Sequence, residues 1–263
     1  MLTDKLAVIT GVSSGIGKAL LLTLQKEGCI IHGIVKSEER KQRLLEELSA
    51  LLPSEGLAQI TLHVCDLRKT AEIEAFAQTM HKLHLSPDIL VLNAGVGFYG
   101  PHEELSAKSI TELTAVNFTA PLLLTNLFLR DLKAKQGHIL FISSVTAAKT
   151  NNTHGCAYGA TKAGVSNFAK SLFEEVRKYD VRVTVLAPDL TQTDLYRNAS
   201  FCASGEPDAA LTPEEVADYA LFALTARKGL NLTELTMQPQ RHRLERIKKA
   251  TQLLLSRKHS PTS

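Results

Sequence analysis

The sequence predicts an α/β protein built on a parallel sheet with helices on both faces. Three observations carry this. Short apolar runs alternate with amphipathic stretches of helical period along the chain. Those runs are apolar at nearly every position instead of every second one, as strands covered on both faces require. A glycine-rich stretch, "TGVSSGIGK" from Thr10 to Lys18, joins the first run to the first helical segment.

The apolar runs, taken in order, are Leu6 to Thr10, Cys29 to Val35, Ile60 to Val64, Ile89 to Leu92, His138 to Ile142, Val181 to Leu186 and Leu230 to Met237. Between them lie helical segments such as "KALLLTLQKEG", "EERKQRLLEELSALL" and "TAEIEAFAQTMHKL". No Pro/Ser/Gly-rich linker divides the chain and no repeat is visible, so residues 1–239 read as one domain. Residues 190–211 have weak periodicity and read as a loop or lid over a substrate. Thr212-Pro213-Glu214-Glu215 then reads as a helix start, with an N-cap Thr, Pro at the first helical position and acids in the first turn.

Bulk properties exclude several classes. With 263 residues, 44% of them hydrophobic and 22% charged, the chain has the composition of a globular protein with a sizeable core. A net charge of +3 calls for no polyanionic partner, and there is no nucleic-acid motif. No apolar run reaches membrane-span length, and the N-terminus lacks the pattern of a signal peptide. Cys29, Cys65, Cys156 and Cys202 are scattered, which suggests neither a metal site nor disulfides and fits a reducing, cytoplasmic setting.

The glycine loop raises the question of which phosphates it holds. An ATP-binding P-loop needs a second glycine five positions after the first, then Lys and Ser/Thr. Counted from Gly11 that position is Ile16, and Lys18 is followed by Ala19, so the pattern fails twice. Gly11, Gly15 and Gly17 instead serve a dinucleotide: a sharp turn, close backbone approach to a pyrophosphate, and close packing of helix on sheet. The helix N-terminus then faces the phosphates. A turn with glycines for steric reasons alone is the other reading of the loop by itself.

A second constellation stands in "AYGATKAG", where Tyr158 and Lys162 are one helical turn apart. An ammonium beside a phenol favours the phenolate and draws the Tyr pKa down, making a proton donor and acceptor for a substrate oxygen. Ser143 and Ser144 end the run "HILFIS", at the carboxyl edge of a strand, where α/β sheets bind ligands. Asn117 sits mid-helix in "LTAVNFTAP", a poor position for Asn on propensity.

Together, Thr10-Gly11-x-x-x-Gly15-x-Gly17, Asn93-Ala94-Gly95, Asn117, Ser144 and Tyr158-x-x-x-Lys162 resemble, in order and approximate spacing, the short-chain dehydrogenase/reductases. The resemblance spans about residues 4–238. It implies a seven-stranded, doubly wound Rossmann-type sheet, a nicotinamide dinucleotide and hydride transfer to or from a carbonyl or alcohol. It further implies Tyr158 as general acid/base, Lys162 as its partner and ribose ligand, Ser144 rather than Ser143 as the substrate-oxygen ligand, and Asn117 as anchor of a proton-relaying water. For the cofactor it implies the loop residues Gly11, Ser13, Ser14, Gly15, Ile16 and Gly17. It adds Asp66 and Leu67 at the adenine, Asn93, Ala94 and Gly95 along the wall, and Pro188 and Thr193 at the nicotinamide. Members often form homodimers or homotetramers through helix pairs, including the one carrying Tyr158.

Two departures stand out. Ser144 and Tyr158 are 14 apart, one more than in many members, and Asp189 replaces the glycine expected after Pro188. The second strand ends at Lys36, followed by Arg40 and Lys41, with no Asp near it. A base there accepts a 2′-phosphate, so NADP(H) is favoured over NAD(H).

For the substrate, the stretch "VTAAKTNNTHGCA" reads as a polar pocket wall with Lys149 and His154. It tilts the reading toward a small 3-hydroxy acid, as in NADP-dependent dehydrogenases that the C-terminal part resembles. The alternatives are a lipid-ketone reductase of the 3-ketodihydrosphingosine type and a dinucleotide-binding protein without turnover. Residues 240–263 read as a basic C-terminal helix or tail, since Arg241 to Lys258 carry seven Lys/Arg and one acid. A docked helix with a solvated basic side is favoured there over a membrane-surface segment.

Overall fold

The computed structural model describes residues 2–246 except 150, 200, 205, 207 and 242. In chain order the elements are β1 (Leu6–Thr10), α1 (Gly15–Lys26), β2 (Ile30–Val35), α2 (Glu38–Leu51), α3 (Ser54–Ala58), β3 (Ile60–Val64), α4 (Thr70–Lys82) and β4 (Ile89–Leu92). There follow α5 (Ala107–Thr114), α6 (Ala120–Lys135), β5 (His138–Ile142), α7 (Cys156–Val176), β6 (Arg182–Pro188), β7 (Phe201–Ala203), α8 (Pro213–Leu224), β8 (Glu234–Met237) and β9 (Leu244–Arg246).

Seven strands form one sheet in the order β3-β2-β1-β4-β5-β6-β8, and every ladder in it is parallel. The apolar runs are continuous because successive residues enter opposite cores. On β1, Ala7 and Ile9 join Leu20 and Leu24 of α1, Leu44 and Leu48 of α2, and Val216 of α8. Leu6 and Val8 join Phe76 and Met80 of α4, Phe128 and Leu132 of α6, and Leu172 of α7 on the other face. The chain winds outward from β1 to β3, then crosses back to place β4 on the other side of β1. That reversal opens a crevice beyond the carboxyl ends of β1 and β4.

Several local expectations are corrected. The seventh strand begins at Glu234, not Leu230. Upstream of it, Asn231 accepts from the Val183 N–H at 3.0 Å and donates to its carbonyl at 2.9 Å, so a side chain takes the place of a ladder. The stretch 190–211 is not bare loop: Thr191 bridges Leu211, and β7 pairs antiparallel with β9. The tail residues Leu244–Arg246 are therefore strand and not helix, and they belong with the lid instead of beyond a boundary at 239. Arg241 pairs with Asp208 at 3.2 Å and Arg243 pairs with Glu206, so part of the basic charge is spent on the acidic lid. The remaining tail, 247–263, lies outside the described residues.

Residues 107–135 form one long helical stretch, apolar enough by composition to cross a membrane. Its Leu113, Leu124, Phe128 and Leu132 are fully buried against the fold, as in a core helix. The predicted start of α8 is seen in full, with a reciprocal capping box between Thr212 and Glu215 and Pro213 in the first turn.

Candidate active site

The loop residues named from the sequence, Gly11, Ser13, Ser14, Gly15, Ile16 and Gly17, all line one cleft at the crevice. The cleft runs from Ser13, Lys36 and Arg40, past Asp66 and Leu67, along Asn93 to Gly95, to Ser144, Tyr158, Lys162, Pro188 and Thr193. Gly11 turns at φ 72, where an added Cβ would lie 2.9 Å from the Ala94 Cα. At Gly17 an added Cβ would meet the Gly11 carbonyl oxygen at 2.2 Å. Gly17→Ala is therefore expected to force the loop apart, costing about 1–3 kcal/mol of stability and weakening dinucleotide binding. Thermal melting and a fluorescence titration with NADPH measure both; an unchanged melting temperature contradicts it.

The loop is pinned from the side. Asn93 donates from Nδ2 to the carbonyls of Thr10 at 2.9 Å and Gly11 at 3.2 Å, while the Thr10 hydroxyl accepts from the N–H groups of Asn93 and Ala94. Ser14 stands at the N-cap of α1 without a side-chain capping bond, leaving the first-turn N–H groups to an anion. Lys18 points away and pairs with Glu47 of α2, which closes the ATP question. The cradle, the uncapped helix and the continuous cleft fit a dinucleotide.

At its adenosine end, Lys36 pairs with Glu112 at 3.2 Å, and Arg40 donates to the Ser13 hydroxyl at 3.1 Å. Asp66 is buried and held by Arg68 through both carboxylate oxygens, which keeps its carboxyl below the usual carboxylate range. Arg68 and Glu112 were missed by the sequence reading, and no local pattern marks either.

At the other end, Ser144 accepts from the Thr146 N–H at 3.2 Å and lines the cleft together with Tyr158, so the extra residue of spacing is absorbed by the intervening turn. Ser143 turns the other way, donating to the Lys162 carbonyl at 3.2 Å and bonding Ser166 at 2.7 Å. Asn117 lies in a π-turn between α5 and α6, a frequent device at functional sites. Its carboxamide accepts from the Val96 N–H at 2.8 Å and donates to the Val96 carbonyl at 2.9 Å. A Cβ on Gly95 would lie 3.6 Å from both Asn117 Oδ1 and Lys162 Nζ, so the two side chains meet at one point of the wall. Lys162 Nζ donates to the Ile142 carbonyl at 2.8 Å and sits 5.9 Å from the Tyr158 ring centre.

The expected pKa pattern needs correction. Burial pushes the Tyr158 hydroxyl up, against the lowering by its hydrogen bonds with Ser144 and Tyr99, and it pushes the Lys162 ammonium down to about 8. Helical spacing shows that Tyr and Lys are neighbours; it does not show that both are dry, and desolvation outweighs their proximity.

The polar wall is also corrected. Lys149 and His154 stand exposed and do not line the cleft. At that end Tyr196 lines the cleft, and Tyr99 and Phe201 pack against it, the three ring centres lying within 6 Å of one another. Asp189 lines the cleft and accepts from Gln238 at 2.9 Å; burial, with the Asp189 carboxylate as a lesser contributor, pushes the Tyr196 hydroxyl up to about 12.

This parallel sheet and its glycine cradle define a Rossmann-like α/β fold with a cleft that fits a dinucleotide. Residues 5–201 match the family model described as short chain dehydrogenase, and the chain belongs to that family, whose members act on alcohol and ketone groups. It is 28% identical over 239 residues to an uncharacterized oxidoreductase of Staphylococcus saprophyticus, covering 90% of this chain and 98% of that one. Among solved structures it is similar to an alcohol dehydrogenase from the archaeon Thermococcus sibiricus complexed with 5-hydroxy-NADP (TM-score 0.79, 27% identity, 91% of this chain and 98% of that one). It is also similar to a metagenomic short-chain oxidoreductase in complex with NADP (TM-score 0.75, 30% identity, the same coverages).

Proposed function

We propose that this enzyme is an NADP(H)-dependent carbonyl reductase and alcohol dehydrogenase in which Tyr158 moves the proton. The observation that carries the reading is the gathering of Ser144, Tyr158 and buried Lys162 at one end of a dinucleotide-shaped cleft. A bound nicotinamide supplies the hydride to the carbonyl carbon in reduction and takes it back in oxidation. Tyr158 gives its phenolic proton to the carbonyl oxygen, and Ser144 hydrogen-bonds that oxygen as charge develops. Lys162, kept in place by the Ile142 carbonyl, orients the ribose and returns a proton to Tyr158. Asn117 holds the Val96 backbone and the Lys162 end of the relay.

Gly11 to Gly17 hold the pyrophosphate, Asp66 and Leu67 the adenine, Asn93 to Gly95 the wall, and Pro188 and Thr193 the nicotinamide. Lys36, Arg40 and Ser13 surround the position of a 2′-phosphate. The NADP named with two of the similar structures supports the same choice. A carbonyl and alcohol panel followed at the nicotinamide absorbance tests the reading. Turnover with NADPH is expected to exceed that with NADH, and Lys36→Glu to reduce the preference by about 10- to 100-fold, the worth of one charge-assisted contact. Equal use of both cofactors by the wild type contradicts it. A cytoplasmic homodimer or homotetramer belongs to the same proposal; Tyr219 and Phe222 of α8, 52% and 61% exposed, offer apolar surface for association, and sedimentation measures it.

A further inference from the structure

Ionic side chains from separate parts of the chain meet behind the adenosine end of the cleft. Lys36 follows β2 and lines the cleft. Its side chain is 45% exposed and pairs with Glu112 of α5 at 3.2 Å. Glu112 is the less accessible partner, 14% exposed, and stands outside the cleft lining. Arg68, in the turn between β3 and α4, brings Nη1 to 3.9 Å from the same Glu112 oxygen. The rest of the Arg68 fork is taken by Asp66, through Nε and Nη2. Charges therefore alternate along one row: Lys36, Glu112, Arg68, Asp66.

We infer that Glu112 is a counter-charge that limits the discrimination between NADP(H) and NAD(H): it holds Lys36 until a 2′-phosphate takes that ammonium, and Arg68 then keeps the carboxylate. The inference rests on the proposed 2′-phosphate position among Lys36, Arg40 and Ser13. Arg40 reaches Ser13, a neutral hydroxyl, at 3.1 Å and keeps its charge for an incoming anion. Lys36 already shares its charge with a carboxylate. A phosphate must compete with Glu112 for Lys36, and it meets the repulsion of that carboxylate as it does so. A dinucleotide without the 2′-phosphate makes no such demand. Glu112 thus lowers affinity for one cofactor and leaves the other untouched.

Release of Lys36 does not strand Glu112. Arg68 Nη1 is already near, and a closer approach gives the carboxylate a charge-assisted partner in place of the ammonium. The position of Glu112 is fixed by its helix. The adjoining Leu113 is fully buried, and Asn117, in the turn that follows, is bonded through both ends of its carboxamide to Val96. The carboxylate can therefore turn between two cations while α5 stays in place.

Calorimetry on the cofactor-free protein tests this with adenosine 2′,5′-bisphosphate and adenosine 5′-monophosphate, which differ only in the 2′-phosphate. Glu112→Gln keeps the shape of the side chain and removes its charge. It is expected to raise affinity for the bisphosphate by about twofold to fivefold, the range for releasing one partly exposed ion pair, with the monophosphate unchanged. Glu112→Ala, which suits a helix, removes the charge a second way and is expected to give the same gain. Monophosphate binding reports that each variant is folded. In a Lys36→Met background most of the gain is expected to disappear, because no ammonium is left to release. A ratio of the two affinities that stays the same or falls in both Glu112 variants overturns the inference, a fall meaning that Glu112 aims Lys36 instead of restraining it. A gain that persists in full with Lys36→Met overturns it too, since the change in net charge is then the cause. If the wild type binds both nucleotides equally, the 2′-phosphate reading fails by itself, and the Glu112 variants still decide: a preference that emerges upholds the counter-charge, and none overturns it.

Discussion

Tyr158→Phe is expected to lower kcat by about 10²- to 10⁴-fold, the usual worth of a positioned proton donor, while dinucleotide affinity changes little. The hydroxyl is the only atom removed, and the ring keeps its place among Val96, Leu113 and Val116. Ser144 retains the Thr146 N–H as a donor, so the strand end and the following turn keep their geometry. Tyr158 is 3% exposed, so under the proposed mechanism bulk water is not placed to replace the proton its hydroxyl would give. Steady-state rates with NADPH, set beside a fluorescence titration of NADPH binding, separate the two effects. Equal rates for the variant and the wild type would remove Tyr158 from the mechanism, and a matching loss of NADPH affinity would make its role one of binding.

Acid is expected to destabilise the protein steeply below pH 6.5, and His138 is the main cause. This residue is 1% exposed on β5, with Nε2 bonded to the Thr184 hydroxyl at 2.8 Å. Its Nδ1 has no hydrogen-bond partner among the described residues. Burial, with Arg182 as a lesser contributor, holds its pKa down at about 3, against an ordinary 6.5. Between those values the unfolded chain binds a proton that the native state refuses. Stability is therefore fully present above pH 6.5 and falls as the pH drops toward 3, by about 1.4 kcal/mol per pH unit or about 2 kcal/mol at pH 5.

His63, lowered to about 4, and His32, lowered likewise, are stacked on neighbouring strands and act in the same direction. Their contribution is smaller where solvent reaches His63. Urea unfolding midpoints at pH 7.5 and pH 5 measure the loss. His138→Phe, which cannot titrate, is expected to flatten the dependence while costing some stability at both values through the unpaired Thr184 hydroxyl. A wild-type midpoint that does not move between those two values contradicts the account.

The fold was readable because its signals are local. The central strands β1, β4 and β5 announce themselves as nearly unbroken apolar runs, since both faces of the sheet are covered there, whereas the edge strands β3 and β8 are partly exposed. The glycine turn and the Thr212-Pro213 helix start follow from backbone and capping chemistry within a few residues. The same holds for the candidate site residues, which lie where runs end and helices begin, and the parallel winding gathers those ends into one cleft. By contrast, Leu230 to Thr233 read as strand, but the Asn231 side chain pairs with Val183, 48 residues away. The "lid" read as loop, but its Phe201–Ala203 finds a partner in Leu244–Arg246. Lys36 read as a free strand-end base, but Glu112 lies against it from 76 residues on.

The sequence by itself determined the layer architecture, the dinucleotide loop and the positions of Asn117, Ser144, Tyr158 and Lys162. These depend on spacing along a helix or strand, which the chain carries in its own order. Only the tertiary structure decided which groups are dry and which rings meet. The raised Tyr158, the depressed His138, and the nest of Tyr99, Tyr196 and Phe201 all arise from burial among residues distant in the chain. Desolvation and ring packing depend on everything that surrounds a group, and no stretch of neighbouring residues contains that surrounding.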